Sequence, residues 1–159
     1  MNFPGKIFEV SALIMFLGWI AKMHFIPGGD YLFRIGTIGI VTSLIIQIHN
    51  SVKIPDVKSN NLTKLFLLNG LSLIIVYSGM MLKVSHIMNN QIEKDFVLDF
   101  FGIPAIIVSI MYNFLHIDTL MKSSEKNKLL FYRQILLPWT LFLFSFLLYT
   151  IYSIILTKT

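Results

Sequence analysis

The sequence predicts an all-α integral membrane protein with five transmembrane helices, arranged as two parallel tandem hairpins plus one extra C-terminal helix. Three observations predict it. Of 159 residues, 55% are hydrophobic and 13% charged, and a mean hydropathy of +0.74 exceeds what one soluble core of this size hides. Apolar stretches at 7–24, 32–49, 65–86, 96–115 and 134–157 are each near the ~20 residues that cross ~30 Å of hydrocarbon. Finally, Ser11, Gly18, Lys22, His24, Gly36, Ser43 and Gln47 reappear in order as Ser72, Gly79, Lys83, His86, Gly102, Ser109 and Asn113. The offset is 61 residues for Ser11, Gly18 and Lys22 and 66 for Gly36 and Ser43, so hairpin 7–52 returns as hairpin 65–117 with a longer turn.

The first helix carries Glu9 and has no small-x-small pattern ahead of Lys22 and His24, which argues for a retained span rather than a cleaved signal. Ser11, Gly18 and Lys22 fall on one helical face. Pro27, Gly28 and Asp30 supply a turn. In the second helix Gly36, Ser43 and Gln47 form a single stripe, and Ser72, Gly79 and Lys83, then Gly102, Ser109 and Asn113, repeat both patterns in the third and fourth. Such small-residue seams are how lipid-embedded helices approach, with Gln47 and Asn113 bonding across them. Each hairpin crosses twice, so both copies insert the same way up. Pro104 and Pro138 begin or kink their helices. The additional helix, 129–159, lacks glycine and carries Phe142, Phe144, Phe146, Tyr149 and Tyr152, which places it outside the bundle or at a partner interface.

Charge gives the orientation. Lys6, Lys53, Lys58, Lys64, Lys122, Lys126, Lys128 and Arg133 share the side of the N-terminus, against Lys22, Arg34, Lys83, Lys94 and Lys158 opposite. The positive-inside rule makes the N-terminus cytoplasmic. The net charge of +5 therefore reads as a topology signal and calls for no nucleic acid. A chain without cysteine has no disulfide or thiolate metal site. No nucleophile adjoins a base, and no phosphate loop or intramembrane carboxylate pair is present, so neither an enzyme nor a cofactor is expected. The partners implied are the bilayer and a membrane protein or a second copy of the chain.

Lys22 and His24 recur as Lys83 and His86, which marks these four as a candidate interfacial polar site beyond ordinary snorkelling and helix capping. The run from Gly18 through Lys22, His24, Pro27, Gly28 and Asp30 to Gly36 resembles the N-terminal membrane hairpin of the gliding-motility protein L family, GldL. That resemblance implies a bacterial inner-membrane protein connected with gliding motility and type IX secretion. Family members form an oligomeric stator around a second membrane protein and carry a proton-handling glutamate in the second helix. Its position falls here at Ile40, with Ile106 as repeat mate, and neither is ionisable. The resemblance thus implies a non-catalytic scaffold or accessory subunit rather than a motor. Two other readings stand beside it: a small transporter using Ser11, Ser43, Gln47, Ser72, Ser109 and Asn113 as a polar path, and a membrane b-type cytochrome with axial pairs His24/His86 and His49/His116.

Overall fold

A computed structural model describes residues 3–24, 26–59, 62–85 and 97–156. The described residues are helical, with no strand among them, and five helical segments are long and apolar enough to cross a membrane. In chain order these are α1 (Phe3–Met23), α2 (Gly29–Ser51), a short α3 (Pro55–Ser59), α4 (Thr63–Ser85), a π turn, Val97–Gly102, leading into α5 (Ile103–Lys122), and α6 (Glu125–Phe131), which passes through a second π turn, Tyr132–Leu136, into α7 (Leu137–Leu156).

Both π turns lie just ahead of a proline. Pro104 and Pro138 have no N–H to give the carbonyls of Phe100 and Gln134, four residues earlier, and their rings crowd that turn. Widening the preceding turn keeps the helix continuous. Pro104 falls at the start of α5, as the sequence suggests. Pro138 does not begin the fifth helix. That helix starts at Glu125, where Ser124 caps it by accepting from Asn127 N at 3.4 Å. Lys126, Lys128 and Arg133 therefore ride on its first turns instead of forming a loop before residue 134.

The bundle is built around α4, which packs against α2, α5, the first π turn and the fifth helix. Over half of its span is buried (56%), against 11% for the fourth span. Leu65, Phe66, Leu73, Val76 and Tyr77 of α4 are almost wholly enclosed. The fifth helix turns one face inward: Phe142 is 3% exposed and sits edge-on to Tyr77, with ring centroids 5.9 Å apart. Leu143 and Leu147 on its opposite side are exposed, and Phe144, also exposed, reaches the Phe16 ring of α1 with centroids 6.2 Å apart. The side chains of Tyr149 and Tyr152 lie outside the described residues.

Candidate functional site

The connection between α1 and α2 explains Lys22. Gly28 takes a left-handed φ of 89°, a conformation that suits glycine. A Cβ on Gly29 would lie 2.5 Å from Lys22 N, so the turn presses against the end of α1. Asp30 then receives Lys22 Nζ at 2.9 Å and pairs with Arg34 one turn along α2, while the Arg34 guanidinium lies 5.9 Å from the Tyr31 ring. Lys22 is thus half of a hairpin staple. His24 is exposed, and its backbone N–H closes on Ile20 O at 3.1 Å. The side chain of Lys83 and all of His86 lie outside the described residues. Within the described half of the four-residue site, Lys22 turns toward Asp30 and His24 outward.

The small-residue seam between α1 and α2 is a backbone contact. A Cβ on Gly18 would fall on the Phe33 backbone, one on Gly36 on the Met15 backbone, and one on Gly39 on Ser11 Oγ. Where the seam reaches the start of α1, it becomes polar. Ser43 Oγ donates to Pro4 O at 2.6 Å, and Gln47 Nε2 donates to Ser43 Oγ at 2.8 Å and to Pro4 O at 3.4 Å. Ser51 Oγ bonds Gln47 O at 2.7 Å and also meets Gln134 Oε1 of the second π turn. Ser11 is buried beneath Gly39.

Between α4 and α5 a different residue does the same job. Asn69 of α4, wholly buried, donates from Nδ2 to Leu65 O and to Asn113 Oδ1, each at 2.8 Å. Its Oδ1 accepts from Ser109 Oγ at 2.5 Å and from Asn113 Nδ2 at 2.8 Å. Those four bonds fill the two donors and two acceptors of an amide. Leu65 stands 61 residues after Pro4, the offset of the sequence repeat, and the carbonyl of each receives a side-chain amide. Ser72, Gly79 and Gly102 are buried as well.

Asn69 was not apparent from the repeat, which did mark its partners Ser109 and Asn113, because the position 61 residues earlier is Phe8. The available signal was its place on the same stripe of α4 as Ser72, three residues on. Tyr77, whose buried hydroxyl donates to Pro138 O at 2.9 Å, and Gly39 are further contacts outside the shared set. His24 and His49 are exposed, and His116 is half-buried with its ring 4.3 Å from that of Tyr112. Among the described residues no three His, Cys, Asp or Glu side chains gather as a metal site.

The described residues also line two cavities. One, of about 370 Å³, lies between the start of α1, the end of α2 and the fifth helix, and is lined by Lys6, Glu9, Gln47, Arg133, Gln134 and apolar neighbours. The other is an open, mainly apolar groove of about 470 Å³ along α5, with Asn113, His116 and Lys128 among Leu65, Leu120 and Phe131. Comparison with protein-family models, curated proteins and solved structures finds no match for this chain.

Proposed function

We propose that this chain is a non-enzymatic scaffold or accessory subunit of a bacterial inner-membrane complex, built as two parallel hairpins and a fifth helix, with its N-terminus in the cytoplasm. The observation that carries the reading is the closed polar seam. Asn69 has no donor or acceptor left for a solute, and Gln47 is held between Ser43 and Pro4 O. Polar groups arranged this way tie helices together. They offer a translocated solute little that is unpaired, which weighs against the transporter reading. The haem reading loses support from the exposure of His24 and His49.

Two further facts support a GldL-like scaffold in place of a motor. Ile40, at the position of the family's glutamate, is wholly buried and so belongs to the hydrophobic core. Phe114 and Leu115 of α5 are 80% and 74% exposed, giving the bundle an uncovered apolar side for lipid or a neighbouring helix. The test is a photo-crosslinking amino acid placed in living cells at Phe114 and, as a control, at Ile45 of α2. A discrete protein adduct from position 114 is expected. Lipid adducts alone, together with solute flux in proteoliposomes that Gln47→Leu abolishes, would replace the scaffold with a carrier.

Orientation has its own test. Because the chain has no native cysteine, Lys58→Cys and Ile26→Cys report sidedness directly. An impermeant maleimide added outside spheroplasts is expected to label position 26 and spare position 58.

A further inference from the structure

The cavity at the start of α1 is deeper than the sequence position of its residues suggests. Ser11 opposes Gly39, and Pro4 opposes Ser43 and Gln47. Glu9, between them, therefore stands level with about residue 41 of α2. At ~1.5 Å per residue this is some ~15 Å from the Ser51 end of α2, near the middle of that helix. Lys6 lies one turn nearer the face of the bundle that carries the N-terminus. Arg133 adjoins Gln134, which meets Ser51, and so marks the mouth. Along the cavity the order is Arg133, Lys6, then Glu9.

None of these three side chains forms an ion pair with a described residue. An ionisable group in a membrane interior is costly unless it faces a wet cavity or a partner, and all three line the same one. We propose that this cavity binds a small zwitterion entering from the N-terminal face. Its primary ammonium pairs with Glu9, and its trailing carboxylate or phosphate is held by Lys6 and Arg133. The volume of about 370 Å³ falls within the ~300–1,000 Å³ typical of small-ligand sites. Phe8 and Leu137 give the linking carbons an apolar wall. Glu9, exposed and the innermost of the three along α1, repels a ligand with anionic groups at both ends, which supplies the selectivity.

The same phospho-ammonium chemistry occurs in lipid headgroups. A phospholipid of the N-terminal leaflet, however, has its phosphate anchored toward the tails and its ammonium toward water. The cation-to-carboxylate order of the cavity fits the reverse orientation and so favours a soluble ligand. This inference stands independently of the scaffold reading.

Titration calorimetry on the full-length protein in detergent tests it, with O-phosphoethanolamine, γ-aminobutyrate, inorganic phosphate and ethanolamine as separate probes. At least one zwitterion is expected to bind tenfold or more tightly than phosphate or ethanolamine. Glu9→Gln should remove that preference while phosphate binding persists, and Arg133→Gln should weaken every anionic probe. Lys6→Gln, farther from the fifth helix, gives a second variant if Arg133→Gln fails to fold. Equal binding of zwitterions and phosphate, or an unchanged preference in Glu9→Gln, overturns the proposal. Full competition by phosphatidylethanolamine in nanodiscs, with no binding of the soluble zwitterions, overturns the soluble source.

Discussion

Replacing Asn69 with leucine removes the centre of the α4–α5 clamp. Three bonds cross between the helices, one with Ser109 and two with Asn113. Interhelical hydrogen bonds in membranes average ~0.6 kcal/mol and reach ~1.7, so the three together predict a loss of about 2 kcal/mol, with a ceiling near ~5. Leucine also leaves the Ser109 hydroxyl, 1% exposed, facing an apolar side chain, which pushes the value up within that range. The assay is reversible unfolding in mixed micelles, read by far-ultraviolet circular dichroism as the denaturing detergent fraction rises. A cycle of Asn69→Leu and Asn113→Leu should give a coupling energy of about 1 kcal/mol. The triple variant with Ser109→Ala added should recover most of the single-variant loss, because no polar group is then stranded. A single-variant loss under ~0.5 kcal/mol, or strictly additive effects, would refute the clamp.

Gly36→Ala should destabilise by more than ~1 kcal/mol, since its Cβ lands on the Met15 backbone and the helices must part. Gly28→Ala meets nothing within 4 Å, and its cost of ~1–2 kcal/mol comes only from the left-handed backbone. Met15→Ala, which trims the side chain but keeps the backbone and Cβ atoms that the Gly36 Cβ meets, should rescue neither variant, and unfolding of both in that background checks this. Tyr77→Phe removes the bond to Pro138 O and should lower stability by about 1 kcal/mol. The same substitution in a Pro138→Ala background, with the π turn free to relax, should have a smaller effect in the same assay.

The helical membrane class was legible because long apolar runs leave backbone groups no alternative partner in lipid. The polar stripes were legible too: Ser43, Gln47, Ser109 and Asn113 stand out against aliphatic neighbours. The start of the fifth helix was not, because Lys126, Lys128 and Arg133 depress the local hydropathy while Ser124 caps the helix regardless. Nor was the depth of Glu9. It lies six residues beyond the start of α1, but only the pairing with α2 reveals that this start is itself sunk beside Ser43 and Gln47. Asn69 was hidden for a third reason, since the α1–α2 and α4–α5 pairs complete their clamps with unlike groups, a backbone carbonyl in one and an amide side chain in the other.

The glycine seam also governs what can move. With Gly18 and Gly36 bringing α1 and α2 to backbone contact and Gly39 resting on the Ser11 side chain, sliding or tilting one helix against the other would drive atoms together, so the pair behaves as a single stiff blade. Lys6 and Glu9 travel with that blade, whereas Arg133 and Gln134 belong to a helix softened by a π turn. Any change in the width of the intervening space would then require displacement of the fifth helix, against the contacts of Gln134 with Ser51, Pro138 with Tyr77 and Phe144 with Phe16.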